Sequence, residues 1–184
     1  MTRSRRLIQW LAIAAYAVAA LPVAMASIMR AMDLAELTTS ADQIVIGDVV
    51  STESAWDSGH RNIYSTIEIS VQESWKGSVP NDGRIRIRQL GGAVGDIEMT
   101  VHGMARFTRG ERALVFLRQA QVVGMGQGKR HVQWDPGNKQ WLADVTEGVE
   151  VVSAGGKASP RVDDTRQPEA LNRLRERVRA LVRN

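Results

Sequence analysis

The sequence predicts a mainly β domain, a small barrel or sandwich, with a short helix before it and an amphipathic helix at its C-terminal end. Three observations predict it. Strand-type patterns fill the middle of the chain, separated by turn signals roughly every 8 to 15 residues. Helical periodicity is confined to two short stretches. The 184 residues, 43% of them apolar, suit one domain of ordinary size and hold no internal repeat. The chain has no cysteine. That excludes a disulfide scaffold, thiol catalysis, a cysteine-linked lipid anchor and thiolate metal sites.

The elements follow in order. Asp33-Leu34-Ala35-Glu36 has the acceptor-x-x-Glu form of a capping box and opens a helix ending near Ser40. Gln43 to Val50 is almost continuously apolar, the signature of a strand buried on both faces. Asp57-Ser58-Gly59-His60 is a turn into Asn62 to Gln72, where Ile63, Ser65, Ile67, Ile69 and Val71 share one face. Asn81-Asp82-Gly83 launches Arg84 to Leu90, with Ile85 and Ile87 inward and Arg84, Arg86 and Arg88 outward. Gly91, Gly92 and Gly95 interrupt it, and Ile97, Met99 and Val101 resume the alternation. Arg109-Gly110-Glu111 turns into Ala113 to Leu117, a second strand of the doubly buried kind. Val122 to Trp134 and Lys139 to Val145 flank Asp135-Pro136-Gly137-Asn138, whose Pro-Gly centre predicts a type II turn. That turn sets Val132 opposite Trp141 and Trp134 opposite Lys139. Glu150 to Val152 would add an edge strand, and Ala154 to Gln167 reads as a linker. From Pro168 a helix carries Leu171, Leu174, Val178, Leu181 and Val182 on one stripe among arginines. The linker composition predicts a β domain that folds without this last helix.

The N-terminal segment predicts export. Arg3, Arg5 and Arg6 precede an apolar run from Leu11 to Leu21, then Pro22 and the small-x-small site Ala24-Met25-Ala26, which places cleavage before Ser27. The alternative is an uncleaved anchor over Leu7 to Met29, the one route to a membrane. Removing residues 1–26 lowers the formal charge from +4 to +1, and the tail from Lys157 holds +4 of its own. The pI near 9.9 therefore belongs to signal and tail. The body between them is mildly acidic, so nucleic acid is not an expected partner.

Ala41-Asp42, Val45-x-Gly47-x-Val49, a strand closing on Trp75-Lys76-Gly77, and Gly110-Glu111-x-x-Leu114-Val115-Phe116-Leu117 together resemble the netrin-like OB-fold domain shared with tissue inhibitors of metalloproteinases. The chain is similar also to a cysteine-free group of exported bacterial proteins that carry the Leu90-Gly91-Gly92-x-Val94-Gly95 pattern. The resemblance spans Leu34 to Leu117. It implies an OB-like small barrel of five or more strands plus an extra hairpin over residues 27–153, and a secreted protease as the class of partner. The inhibitors chelate their target's zinc through an N-terminal cysteine, which this chain lacks, so no functional residue carries over.

Catalytic motifs are missing from the sequence. His60, His102 and His131 fall in no metal-binding spacing, and there is no Gly-x-Ser-x-Gly elbow. Gly124-Met125-Gly126-Gln127-Gly128-Lys129 departs from a phosphate loop at both ends and reads as a glycine-rich hairpin. No metal or cofactor is expected. Two surfaces are candidates for binding. One is the ladder of Arg84, Arg86 and Arg88, which Glu68, Glu73 and Glu98 could neutralise across strands. The other is the set Trp56, Trp134 and Trp141 beside hairpin turns. The expected function is an exported, non-enzymatic module that binds a protein through the tryptophans. The alternatives are an oligosaccharide- or anion-binding domain using the arginines and, third, an enzyme with a site assembled from the histidines.

Overall fold

The structure is a computed structural model that describes residues 31–145 and 168–183. Ala24, Ala26 and Ser27 of the expected cleavage site, the strand at Glu150 to Val152 and the linker lie outside the described residues.

The first element forms as its capping box dictates. Asp33 accepts a hydrogen bond from the Glu36 amide at 2.8 Å, the Glu36 carboxylate accepts one from the Asp33 amide at 3.2 Å, and helix α1 runs Leu34–Ser40. Its C-terminal carbonyls are met from a distant strand. The Lys76 ammonium donates to Thr38 O at 2.8 Å and to Ala41 O at 2.6 Å.

Among the described residues ten strands follow: β1 (Gln43–Trp56), β2 (Ile63–Lys76), β3 (Arg84–Leu90), β4 (Gly92–Val94), β5 (Ile97–Met99), β6 (Arg112–Arg118), β7 (Gln121–Val122), β8 (Lys129–Asp135), β9 (Gln140–Val145) and β10 (Glu169–Ala170). Helix α2 (Leu171–Val182) closes the described chain. One antiparallel sheet has the order β10-β9-β8-β6-β1-β2-β3, with β7 also on β6, and β4–β5 is a separate ribbon. The ladder runs from edge to edge, so a closed barrel is not shown. A backbone bond from the Arg88 amide to Ala120 O at 3.4 Å links β3 to the turn after β6.

β1 bends to serve both halves of this sheet. Its register against β2 shifts at three points, one of them at Ile46/Gly47. A Cβ at Gly47 would sit 2.3 Å from Ser70 O, so only glycine lets the two backbones approach there.

Two cores lie on opposite faces of the sheet. Ile44, Ile46, Leu114 and Phe116 meet α1, α2, Trp75 and Val132 on one face. Val45, Val49, Ala113, Val115 and Leu117 meet Ile67, Ile69, Ile85 and Ile87 on the other. This is why β1 and β6 read as continuous apolar runs, as the sequence predicts.

Several expectations are corrected. Helix α2 is no appendage: Leu174 and Val178 are fully buried in the first core, and Arg175 reaches Glu73 of β2 at 2.6 Å. Ile97 does not resume an inward alternation but stands 55% exposed on the β4–β5 ribbon. Val122 to Trp134 is not one strand. Residues 123–128 bulge out between β7 and β8, which pair with the same edge of β6, so the glycine-rich stretch is not a hairpin loop. Pairing of β8 with β9 sets Trp134 against Trp141 and Val132 against Ala143, two residues from the predicted register. The positive φ falls on Lys139, at 51°, and not on Gly137, so the loop is four residues long and not a type II turn. Asp135 organises it by accepting from the Gly137 amide at 2.9 Å and from Asn138 Nδ2 at 2.7 Å.

Candidate functional site

The β8–β9 hairpin brings two of the three predicted tryptophans together. Trp134 and Trp141 are directly opposed, 49% and 38% exposed, with ring centroids 5.5 Å apart in an edge-to-face arrangement. The Arg112 guanidinium lies 4.9 Å from the centre of the Trp141 ring. Asp48 of β1 holds that guanidinium at two points, 2.7 and 3.0 Å, and raises its pKa further by this pairing. The surface is therefore an ordered Trp-Trp-Arg cluster. Asp48 and Arg112 carry no signal in the sequence, because only the β1–β6 register makes them neighbours.

Trp56 stands apart. It ends β1, is half-buried, and has the imidazole of His60 6.0 Å from its ring across the hairpin turn. Asp57 forms the predicted Asx-type turn by accepting from the Arg61 amide and from Asn62, and these bonds hold its carboxyl below the usual range.

The arginine ladder is partly neutralised. Arg84 and Arg86 both pair with Glu68, the second at 3.0 Å, and the Arg84 hydrogen bond is the main reason the Glu68 carboxyl lies below its ordinary pKa. Arg88 lies 4.0 Å over the Tyr64 ring. Glu73 and Glu98, named from sequence as further partners, do not join the ladder. Glu73 is taken by Arg175 and Arg179 of α2, and Glu98 accepts from Thr100.

The segment between β5 and β6 crosses the sheet and walls a cleft of about 390 Å³ lined by Ser54, Ser65, Gln89, Met99, Met104 and Phe107, among others. Buried polar groups pin it. Gln89 Nε2 donates to Ala105 O at 2.8 Å, and the Lys129 ammonium donates to Arg106 O and to Glu111 Oε1, the latter at 2.6 Å. Burial pushes Lys129 below the usual lysine range, and Glu111 opposes that shift. Glu111 also faces His131 Nδ1 at 3.4 Å. The lysine that mimics a phosphate-loop residue in the sequence is thus a structural anchor, 1% exposed.

The motifs of the netrin-like resemblance also do structural work here: Lys76 caps α1, Asp42 accepts from the Gln119 amide at 2.9 Å, and Glu111 holds Lys129. His60, His102 and His131 lie on a turn, in the crossing segment and on β8, and no group of three or more metal-ligating side chains is assembled among the described residues. No helix among them is long and apolar enough to cross a membrane. No protein-family model, curated protein or solved structure matches the chain, so the quoted motifs alone carry the resemblance.

Proposed function

We propose that this chain is an exported, non-enzymatic binding module with an OB-like fold, and that it engages a protein partner through the tip of the β8–β9 hairpin. The observation that carries this reading is the exposed Trp134–Trp141 pair with Arg112 fixed beside it. Two large indoles left in water cost apolar hydration that a partner's surface would relieve. Trp and Arg are also the side chains that dominate binding energy in protein interfaces. The netrin-like motifs support a secreted protease as the class of partner.

Photo-crosslinking tests it. A benzophenone side chain placed at position 134 in the native host should trap a discrete protein adduct, and Trp141→Ala should weaken capture by ~2 kcal/mol while leaving the melting temperature nearly unchanged. A reagent at position 97, at least as exposed on the β4–β5 ribbon, serves as control. Equal labelling from both positions would sink the proposal.

The second reading, an anion or oligosaccharide on the arginine face, is favoured by one observation: Arg84 and Arg86 share a single carboxylate. Capture that collapses as salt rises, and survives Trp141→Ala, would select it.

A further inference from the structure

The outer edge of β3 is open for strand pairing around Arg86, between the Arg84 amide held by Asp82 and the Arg88 amide held by Ala120. Residues 85, 87 and 89 point their backbone groups one way and residues 84, 86 and 88 the other, because N–H and C=O groups alternate along a strand. Two bonds show which set faces out. The Arg84 amide donates to Asp82 Oδ1 at 3.1 Å, and the Arg88 amide to Ala120 O at 3.4 Å, neither of them in β2. The Arg86 amide therefore points to the same free edge, where no described residue accepts from it, and the Arg84 and Arg86 carbonyls flank it.

The side chains of that set supply a charge pattern. In register, Arg84, Arg86 and Arg88 lie opposite Ser70, Glu68 and Thr66 of β2. Three cations on one face thus have a single carboxylate among the described residues, and Arg84 and Arg86 remain 50% and 65% exposed. A strand added beside β3 would set its alternate side chains ~5 Å from Arg84 and Arg86. Acidic residues two apart match that spacing.

We infer that β3 accepts an extended peptide segment with acidic residues at alternate positions, paired to the sheet through Arg86. This goes beyond the hairpin surface proposed above and uses neither tryptophan. Basic side chains on an edge also discourage indiscriminate pairing, so selectivity for acidic strands follows from the same residues.

The test uses the protein from Ser27 onward and two synthetic peptides, acetyl-Thr-Glu-Val-Glu-Val-Glu-Thr-amide and the same peptide with Lys in place of Glu. Amide hydrogen exchange is followed by NMR. Saturation with the Glu peptide should slow exchange of the Arg86 amide at least about fivefold, more than at any amide of β8 or β9. Raising salt from about 50 to about 500 mM should reverse the effect. Arg86→Gln should weaken binding about threefold or more while leaving the melting temperature in place. Unchanged exchange at Arg86, or equal protection by the Lys peptide, overturns the proposal. Trp141→Ala leaves peptide binding intact, so failure here and failure of the hairpin proposal are read separately.

Discussion

The two faces of the central sheet are buried by different means. On one, the cover comes from α1 and α2, elements at opposite ends of the described chain, which meet Ile44, Ile46, Leu114 and Phe116. On the other, β2 and β3, joined to β1 through consecutive hairpins, curl over Val45, Val49, Val115 and Leu117. The second face is covered by the strands that follow β1 in sequence, whereas the first needs α1, just before β1, to be joined by α2 from the far end of the described chain. Stability of the first face therefore depends on a segment that local structure alone does not hold in place.

The sharpest break of this comparison is removal of residues 168–184. The helix-covered face would lose Leu171, Leu174 and Val178 together with the β10 edge. We expect cooperative unfolding to be lost, while amides in β2 and β3 keep more protection from exchange than those in β8 and β9. Leu174→Ala alone should cost ~2–5 kcal/mol in urea denaturation, as for other large buried aliphatics. A deleted protein that melts as the intact one does would refute the assignment of α2 to the core.

On the strand-wrapped side the polar counterpart is Lys129, whose ammonium lies 4.8 Å from the Phe107 ring centre and holds the crossing segment. Lys129→Met should cost about 3 kcal/mol, because it leaves the Glu111 carboxylate without its ammonium. The pH dependence has a defined sign. Folding lowers this lysine's pKa below the ordinary 10.5, so between the folded value and 10.5 the unfolded chain holds the proton that the folded chain lacks. Stability of the native protein relative to Lys129→Met should therefore rise with pH through that alkaline window. A flat difference would contradict the burial.

The smallest effect is expected at the β8–β9 tip, which belongs to neither core. Asp135 is held below its ordinary pKa of 3.8, chiefly by Asn138 Nδ2. Its contribution is present above 3.8 and is lost as pH falls through the folded value. Carboxyl carbon NMR should show Asn138→Ala moving that titration back toward 3.8, with the tryptophan pair unchanged.

Sequence logic was strongest where the cause is local. The capping box of α1, the span of β3 from Arg84 to Leu90 and the doubly buried β6 all lie as the residues predict, since each rests on contacts within one or two turns or on a period of two along the strand. The same period says which face a side chain takes but not which partner it meets. The β8–β9 register shows this: the observed slip of two residues keeps every side chain on its face, yet it exchanges a Trp134–Lys139 pair for a Trp134–Trp141 pair. Among the candidate residues, the ladder at Arg84, Arg86 and Arg88 was legible in strand alternation. The Trp134–Trp141–Arg112–Asp48 cluster was not, because it needs three ladders in fixed register.

The sequence by itself determined that the chain is mainly β, which strands are buried on both faces and where the first helix begins, because hydrophobic periodicity and capping act over a few residues. The last helix starts at Leu171 and not at Pro168, since Glu169 and Ala170 pair with β9 instead. Only the tertiary structure decided that Glu73 belongs to α2, that Lys129 is buried under the crossing segment, that Ile97 is exposed and that β3 is an edge. These depend on which distant surfaces meet, and that follows from burying the whole apolar surface at once and from no single segment's pattern.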